Sequence, residues 1–401
     1  MGIISKTYKD NYENFITLPV IFRFIKENKI DYDLGKTNRA SLLEAIENYG
    51  LKSQENRENV LSWVDNIVKE GIRDIHIHKI SVPDDIADML SDCESCEKFL
   101  EESSCLKKHL CENTYDDHFV LVNAYRDDIS TGRRIVFLYC KRVITLSSKD
   151  NVMRAIDYPI TIEYYLDSSW VVISTKPRSK IYNYTEKQWN LDNLELTNND
   201  KLVLEAKKDV IKLLHAVETN ATESDNYIKS RIFELIDKYT HTPKVIQDLI
   251  DSHQENIHSL CGFIKEACAA NGSQEKDIIG DLNNLMEKYM SINWKNSDIF
   301  TKDRVAYPIK ISATDEDLSK IEQTSALSEP LQKKAIFFDN KKMLYKNKKC
   351  DGVVMKWKKQ KSDDYFTVII SSNRSGRHII KFREYTSQED MHNVLFSIIE
   401  S

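Results

Sequence analysis

The sequence is poor in the residues that make flexible linkers. It has only 10 Gly and 7 Pro among 401 residues, whereas low-complexity tails and tethers are usually rich in these two types. No apolar run approaches the roughly 20 residues of a membrane-spanning helix, and the N-terminus lacks the apolar core of a secretory signal. We therefore expect a cytoplasmic protein of two or three folded domains that does not contact a membrane.

The standard catalytic signatures are also missing. The chain has no Gly-rich phosphate loop with Lys-Ser/Thr, no dinucleotide-binding fingerprint, no Gly-x-Ser-x-Gly and no His-Glu-x-x-His. A nuclease of the Asp…Glu-x-Lys kind needs an acid two residues before the lysine, but Val354 stands there before Lys356. The sequence favours a non-enzymatic protein, and a metal-dependent nuclease with a dispersed site remains an alternative.

Cysteine is scarce except in one cluster. The spacing Cys93-x-x-Cys96 followed by Cys105-x-x-x-His109 supplies the four ligands that a tetrahedral structural zinc needs. The same stretch has the apolar periodicity of a helix, in which cysteine is often a small buried side chain. A zinc site at Cys93, Cys96, Cys105 and His109 and a plain helical core are therefore both open. Disulfides are not expected.

Positive charge is concentrated in Leu331–Tyr385, which we call the basic block. It holds fifteen Lys and Arg against five acids, a net charge of +10, whereas the whole chain carries −6. Clustered positive charge attracts polyanions by Coulomb steering and counterion release. Two alternatives are that these residues dock onto acidic helices of the same chain or of a partner, or that they protect a sheet edge from aggregation.

Strand alternation divides the basic block. In Val354–Lys358, Lys356 and Lys358 share one face and Met355 and Trp357 share the other, so we expect Trp357 in the core. Tyr345, Tyr365 or Phe366 would stack on bases if exposed. The candidates for phosphate contact within the block are Lys346, Lys348, Lys349, Lys356, Lys358, Arg374 and Arg377; the two arginines flank the turn residue Gly376.

A second candidate for nucleic-acid contact lies near the N-terminus. The segment FRFIKENKIDYDLGKTNRASLLEAIENYG, Phe22–Gly50, resembles a SAP-type motif, a helix–extended–helix element that usually binds DNA. An apolar helix leads to Gly35-Lys36 and then to a second helix. The resemblance implies that Lys36 and Arg39 contact DNA. The alternative is a three-helix bundle that packs against the next domain.

Periodicity along the chain predicts an α+β protein. Helical spacing alternates with β-branched, aromatic strand-like runs. The predicted segments are a helical module (1–80), a Cys-containing connector (81–118), an antiparallel sheet (119–190), an acidic helical bundle (200–295) and a basic α+β module (300–401). In the last module, AIFFD and MLYK are interpreted as strands.

Three hypotheses about function follow. The first is an accessory subunit that binds DNA or RNA phosphates within a larger assembly that includes protein partners. The richness of the chain in Lys, Asn and Ile, typical of AT-rich genomes, is the basis for expecting microbial genome maintenance or phage defence. The second is a protein–protein scaffold or adaptor. The third is the nuclease with a dispersed site.

Overall fold

The structure of the protein is a computed structural model, and the chain in it forms two compact units. It describes residues 2–10, 15–103, 108–129, 132–146, 151–186, 189, 193–268, 274–314, 320–325, 329–373 and 376–400. Unit 1 comprises Met1–Asn220 and Lys381–His392, and unit 2 comprises Ala221–Ile380 and Asn393–Ser401. Both units combine helices with antiparallel strands, so the predicted α+β class is confirmed.

Some helices of unit 1, Arg39–Gly50 and Gln54–Ile67 among them, begin where a polar side chain accepts an orphan backbone N–H group. Asn38 accepts from Ser41 N at 3.0 Å and Ser53 accepts from Asn56 N at 3.1 Å, as N-cap residues do. The helices are α1 (Lys6–Lys9), α2 (Leu18–Glu27), α3 (Arg39–Gly50), α4 (Gln54–Ile67), α5 (Asp84–Ser91), α6 (Cys93–Ser103) and α7 (Asn199–Leu213).

The strands of unit 1 form an antiparallel sheet in the order β1-β5-β4-β3-β6-β7, with β2 on β3 and β8 on β1. Their bounds are β1 (Gly71–Ser81), β2 (Val120–Ile129), β3 (Gly132–Leu146), β4 (Met153–Tyr165), β5 (Trp170–Thr175), β6 (Ile181–Asn183), β7 (Leu196–Thr197) and β8 (Val217–Glu218). The predicted strands of 119–190 are thereby confirmed as β2 to β5.

The unit 1 sheet is covered by helices on both faces. Alternate residues of β3 point to opposite sides: Leu138 and Cys140 join the core formed with α1 to α4, whereas Phe137 and Tyr139 join the core formed with α5 to α7. This two-sided burial explains why β3 and β4 read as nearly continuous apolar runs.

Unit 2 combines an antiparallel sheet with a helical bundle. Its strands are β9 (Ala306–Thr314), β10 (Lys320–Thr324), β11 (Gly352–Lys358), β12 (Tyr365–Asn373) and the first residues of β13 (Arg377–Thr386), in the order β10-β9-β11-β12-β13. Its helices are α8 (Ala221–Tyr239), α9 (Lys244–Ser252), α10 (Gln254–Ala267), α11 (Glu275–Asn293), α12 (Ala335–Asn347) and the end of α13 (Gln388–Ile399).

Three parts of the sequence interpretation need correction. AIFFD and MLYK are not strands but form α12, because Phe337, Phe338 and Leu344 are buried at helical spacing. The apolar positions from Val245 to Ile264, whose spacing predicts one continuous helix, belong to two helices, α9 and α10, which meet at His253. The predicted 200–295 bundle divides at Asn220, because α7 packs its apolar face against the sheet of unit 1.

Neither unit offers a membrane-spanning element among its described helices. None of them is both long enough and apolar enough to cross a bilayer.

Candidate nucleic-acid interface

Three lysines in the first half of the basic block contact the acidic helix α11 of the same unit. Lys341 Nζ lies 2.6 Å from Glu287 Oε2, and Lys342 Nζ lies 3.1 Å from Asp281 Oδ2, both on α11. Lys333 Nζ donates to three carbonyls at the C-terminal end of α11, at 2.6 to 3.2 Å, where the helix dipole favours a cation. Docking onto a helix of the same chain is therefore seen for these three lysines. It occupies Lys333 and Lys341, whereas the Lys342–Asp281 pair is 70% and 62% exposed and holds Lys342 weakly.

The next three lysines stand at the end of α12. Lys348 has the left-handed conformation, φ 49°, and its N–H donates to Leu344 O at 2.9 Å, which terminates the helix. Lys346, Lys348 and Lys349 are all exposed, and Lys349 Nζ donates to Asn226 Oδ1 at 2.9 Å. These three lysines form a small exposed cluster of cations, and the partner named for Lys349 is an amide and not a carboxylate.

Lys356 and Lys358 lie on the outward face of the unit 2 sheet. The register pairs Lys356 with Tyr307 of β9 and Thr367 of β12, and pairs Lys358 with Tyr365 of β12. Trp357 is only 3% exposed, which confirms that it points inward while the two lysines point outward. Lysines and tyrosines therefore alternate across three neighbouring strands.

Tyr307 and Tyr365 are neighbours on this outward face. Their ring centroids are 5.4 Å apart, and the ring planes are inclined by 60°. The hydroxyl of Tyr365 is held at the carbonyls of Thr301 and Arg304, at 3.2 and 3.4 Å. These contacts fix the position of the Tyr365 ring before any ligand arrives. Both tyrosines are partly exposed. We call Tyr307, Tyr365, Lys356 and Lys358 the Tyr/Lys face.

The contacts of the two lysines are weak enough to be exchanged for a ligand. Lys356 Nζ donates to the neutral hydroxyl of Thr367 at 2.8 Å. Lys358 Nζ lies 2.7 Å from Asp363, whose side chain is 98% exposed, and exposed ion pairs contribute little. The hydrogen bond to Asp363 raises the pKa of Lys358, so its ammonium group is charged at neutral pH.

Sequence reasoning missed Tyr307, and the structure shows why. The register between β9 and β11 shifts between Val354 and Met355, which leaves Ile309 of β9 as an extra residue. Because of this bulge, Tyr307 and Lys310 are both paired with outward residues although they are three positions apart, so simple alternation fails. Of the aromatic residues proposed from the sequence, only Tyr365 is on this face: Phe366 is buried, and Tyr345 bonds to Asp237.

Arg377, one of the two candidate arginines, begins β13. Gly376 has φ +71°, and a Cβ there would lie 3.1 Å from Ala221 Cβ, so glycine suits this turn. Arg377 is exposed, and its backbone N–H donates to Asn373 Oδ1 at 3.1 Å. Arg374 lies outside the described residues.

The segment that resembles a SAP motif forms two helices, α2 and α3, joined by a connection that contains turns. Lys36 is exposed beside Asp33. Arg39 is engaged internally: its guanidinium donates to the carbonyls of Tyr8 and Lys9, at 3.1 and 3.3 Å, and also to that of Ile16. These contacts do not support DNA contact by Arg39, because the donors that would bind phosphate already satisfy backbone carbonyls, and the assignment stays a prediction.

The candidate zinc residues are not brought together among the residues that the structure describes. Cys93 is exposed at the start of α6, and Cys96 is buried in the apolar core. Both ring nitrogens of His109 are engaged, Nδ1 with Asp65 at 2.7 Å and Nε2 with Glu58 at 2.9 Å. Cys105 lies outside the described residues, so the zinc hypothesis stays a prediction.

A buried polar network lies between α8 and the sheet of unit 2. Lys229 Nζ lies 3.0 Å from both Asp225 and Asp351, and Ser372 Oγ donates to Asp225 Oδ1 at 2.6 Å and lies 2.9 Å from His378 Nδ1. The serine therefore stands between the acid and the histidine, whereas a hydrolytic triad needs the histidine in the middle. In the described part of the chain, no three His, Cys, Asp or Glu side chains are grouped to hold a metal.

The comparisons with known proteins add no relative. No protein-family model matches the chain, and no curated protein matches it. Any function must therefore be inferred from the chemistry of this chain's own surfaces.

Proposed function

We propose that the protein is a non-enzymatic, nucleic-acid-binding accessory protein that contacts a single strand through the Tyr/Lys face. The observation that carries the proposal is the register of β9, β11 and β12, which places Lys356 and Lys358 beside the Tyr307–Tyr365 pair. Lysine ammonium groups neutralise phosphates, and aromatic rings stack on bases of any sequence. A face with both groups matches both parts of a nucleotide chain.

A single strand fits this face better than a duplex. Duplex bases are stacked on one another and expose only their edges in the grooves, so rings on a sheet surface have no base plane to contact. Unpaired bases are splayed out and stack on such rings. The Tyr/Lys face lies on strands rather than on a helix that would enter a major groove.

Part of the charge of the basic block does not support binding. Lys333 and Lys341 are engaged by α11, so the net charge of the block overstates the positive surface. The exposed cations at the end of α12 and Arg377 are the remaining candidates for phosphates that lead away from the face. Protein partners, a role in phage defence and the alternatives of a scaffold or a nuclease remain predictions from the sequence.

The experiment uses the full chain and labelled 20-residue DNA and RNA oligonucleotides, single-stranded and as duplexes of the same sequence. We expect tighter binding of the single strands. Tyr307→Ala should weaken that binding by about 1–3 kcal/mol, the usual contribution of one stacked base. Tyr307→Phe is the matched control, because it keeps the ring and should bind like the wild type.

One result would contradict base stacking, and another would contradict nucleic-acid binding as a whole. Equal binding of duplex and single strand, with Tyr307→Ala equal to Tyr307→Phe, would remove base stacking and leave only phosphate contact. Absence of binding to every oligonucleotide at low salt would remove the nucleic-acid function altogether.

A further inference from the structure

A pocket of about 770 Å³ opens in unit 1. It lies between the C-terminal end of α4, one side of α6 and the strand β2. Its volume is in the range of pockets that hold small organic ligands. The polar side chains that matter for its chemistry are Ser62, Asn66, Lys69, Glu97, Glu101, Asn123 and Tyr125.

Lys69 brings a nearly buried ammonium group to this pocket. The residue is 7% exposed, and its Nζ donates to Tyr125 Oη at 2.6 Å and to Asn66 Oδ1 at 3.3 Å. Both acceptors are neutral, and within the described ranges no carboxylate lies at ion-pair distance from Nζ. A buried ammonium without a counter-charge is unfavourable, so an anion in the pocket would stabilise it.

Tyr125 supplies a second donor at the same place. Its hydroxyl oxygen accepts from Lys69, which leaves its own proton to donate. An ammonium has three N–H groups, and two of them are used. One N–H of Lys69 and the O–H of Tyr125 are therefore left as donors on neighbouring groups, and a carboxylate or phosphate oxygen can accept from both.

The other charged groups at the pocket are of both signs, and they include the exposed ammonium group of Lys108. His109 is balanced by Asp65 and Glu58, and Arg126 is paired with Asp128. The exposed carboxylates of Glu97 and Glu101, one turn apart on α6, also line the pocket. They repel a polyanion such as a nucleic-acid strand, whereas one anionic group at Lys69 is tolerated.

We propose that this pocket binds a small molecule through one carboxylate or phosphate group, held by Lys69 Nζ and Tyr125 Oη. The site is separate from the nucleic-acid function: its residues belong to unit 1, and the Tyr/Lys face belongs to unit 2. Carboxylate and phosphate share the same recognition here, and the test distinguishes them.

The test titrates the full chain with inorganic phosphate and, separately, with acetate, by calorimetry at constant ionic strength set with chloride. We expect saturable binding of at least one anion. Lys69→Met should weaken it by about tenfold or more, because one charge-assisted hydrogen bond is lost, and Tyr125→Phe should weaken it less. Lys79→Met is the matched control, since Lys79 is an exposed lysine of unit 1 outside the pocket.

The outcomes separate clearly. Saturation by phosphate alone or by acetate alone supports the site and identifies its group. Flat titrations with both anions overturn the proposal, as does equal binding by the wild type, Lys69→Met and Tyr125→Phe. Circular dichroism confirms that each variant is folded, and the conservative Tyr125→Phe keeps the test valid if Lys69→Met unfolds.

Discussion

Lys341 and Glu287 form an ion pair, with Nζ and Oε2 2.6 Å apart, that joins the basic block to the acidic helix α11. Glu287 is only 5% exposed and also accepts from Thr242 Oγ1 at 2.7 Å. Part of the positive charge of the basic block is therefore paired with negative charge of the acidic helices within unit 2. Lys341 is therefore not available to a ligand, and binding must use other lysines of the basic block.

The Lys341–Glu287 pair should stabilise unit 2. Lys341→Met leaves the Glu287 carboxylate with only the Thr242 hydroxyl, so we expect the free energy of unfolding to fall by about 1.5–3 kcal/mol. Lys342→Met is the matched control, because Lys342 and Asp281 are 70% and 62% exposed, and such pairs contribute less than ~1 kcal/mol. Urea denaturation measures both, and equal losses would contradict the structural assignment.

Arg39 should be a structural residue rather than a DNA contact. Its guanidinium joins α3 to carbonyls of the N-terminal segment, so Arg39→Ala should cost about 2 kcal/mol in unfolding free energy, because buried acceptors lose charged donors. Lys36→Ala, at an exposed site, should change stability by less than ~0.5 kcal/mol. A stable Arg39→Ala protein with weakened DNA binding would instead support the SAP-like hypothesis.

His109 should make the stability of unit 1 depend on pH. Its hydrogen bond to Asp65, with that to Glu58, raises the pKa of His109, and burial opposes the shift. Because the folded pKa lies above the unfolded value of about 6.5, the stabilisation is complete below that value and is lost as the pH rises through the folded pKa.

The test compares the wild type with His109→Gln in urea denaturation at about pH 6 and about pH 9, on either side of the transition. The stability difference should be larger at the lower pH. A difference that does not change with pH would mean that the imidazole is neutral in the folded protein.

The cysteines should react with maleimide in two classes. Burial raises the pKa of Cys96 to about 11 and that of Cys350 to about 12, and the thiolate is the reactive form. Cys93 and Cys268 are exposed and should be labelled first in the native protein, as mass spectrometry can show. If Cys93 and Cys96 held a zinc ion, Cys93 would not be labelled until a chelator removed the metal.

The residue pattern within single segments was enough to predict several strands and the burial of one tryptophan. Strands β2 to β5 follow from β-branched runs, and the inward position of Trp357 follows from alternation. Helix α12 was missed because the sequence does not show that its lysines pair with acids of another helix. Lys341 and Lys342 contact Glu287 and Asp281 of α11. Tyr307 was missed because a bulge shifts the register of β9. Both errors concern contacts between segments far apart in the chain, which a single sequence does not display.

The most direct test of the proposed function is the salt dependence of single-strand binding by the Tyr/Lys face. Log K against log salt should fall with a slope of about −0.7 per phosphate contacted, so Lys356→Gln with Lys358→Gln should make the slope shallower by about 1.4. The matched control, Lys244→Gln with Lys342→Gln, removes two exposed lysines of the bundle and should keep the wild-type slope. Identical slopes for the two double variants would contradict the account.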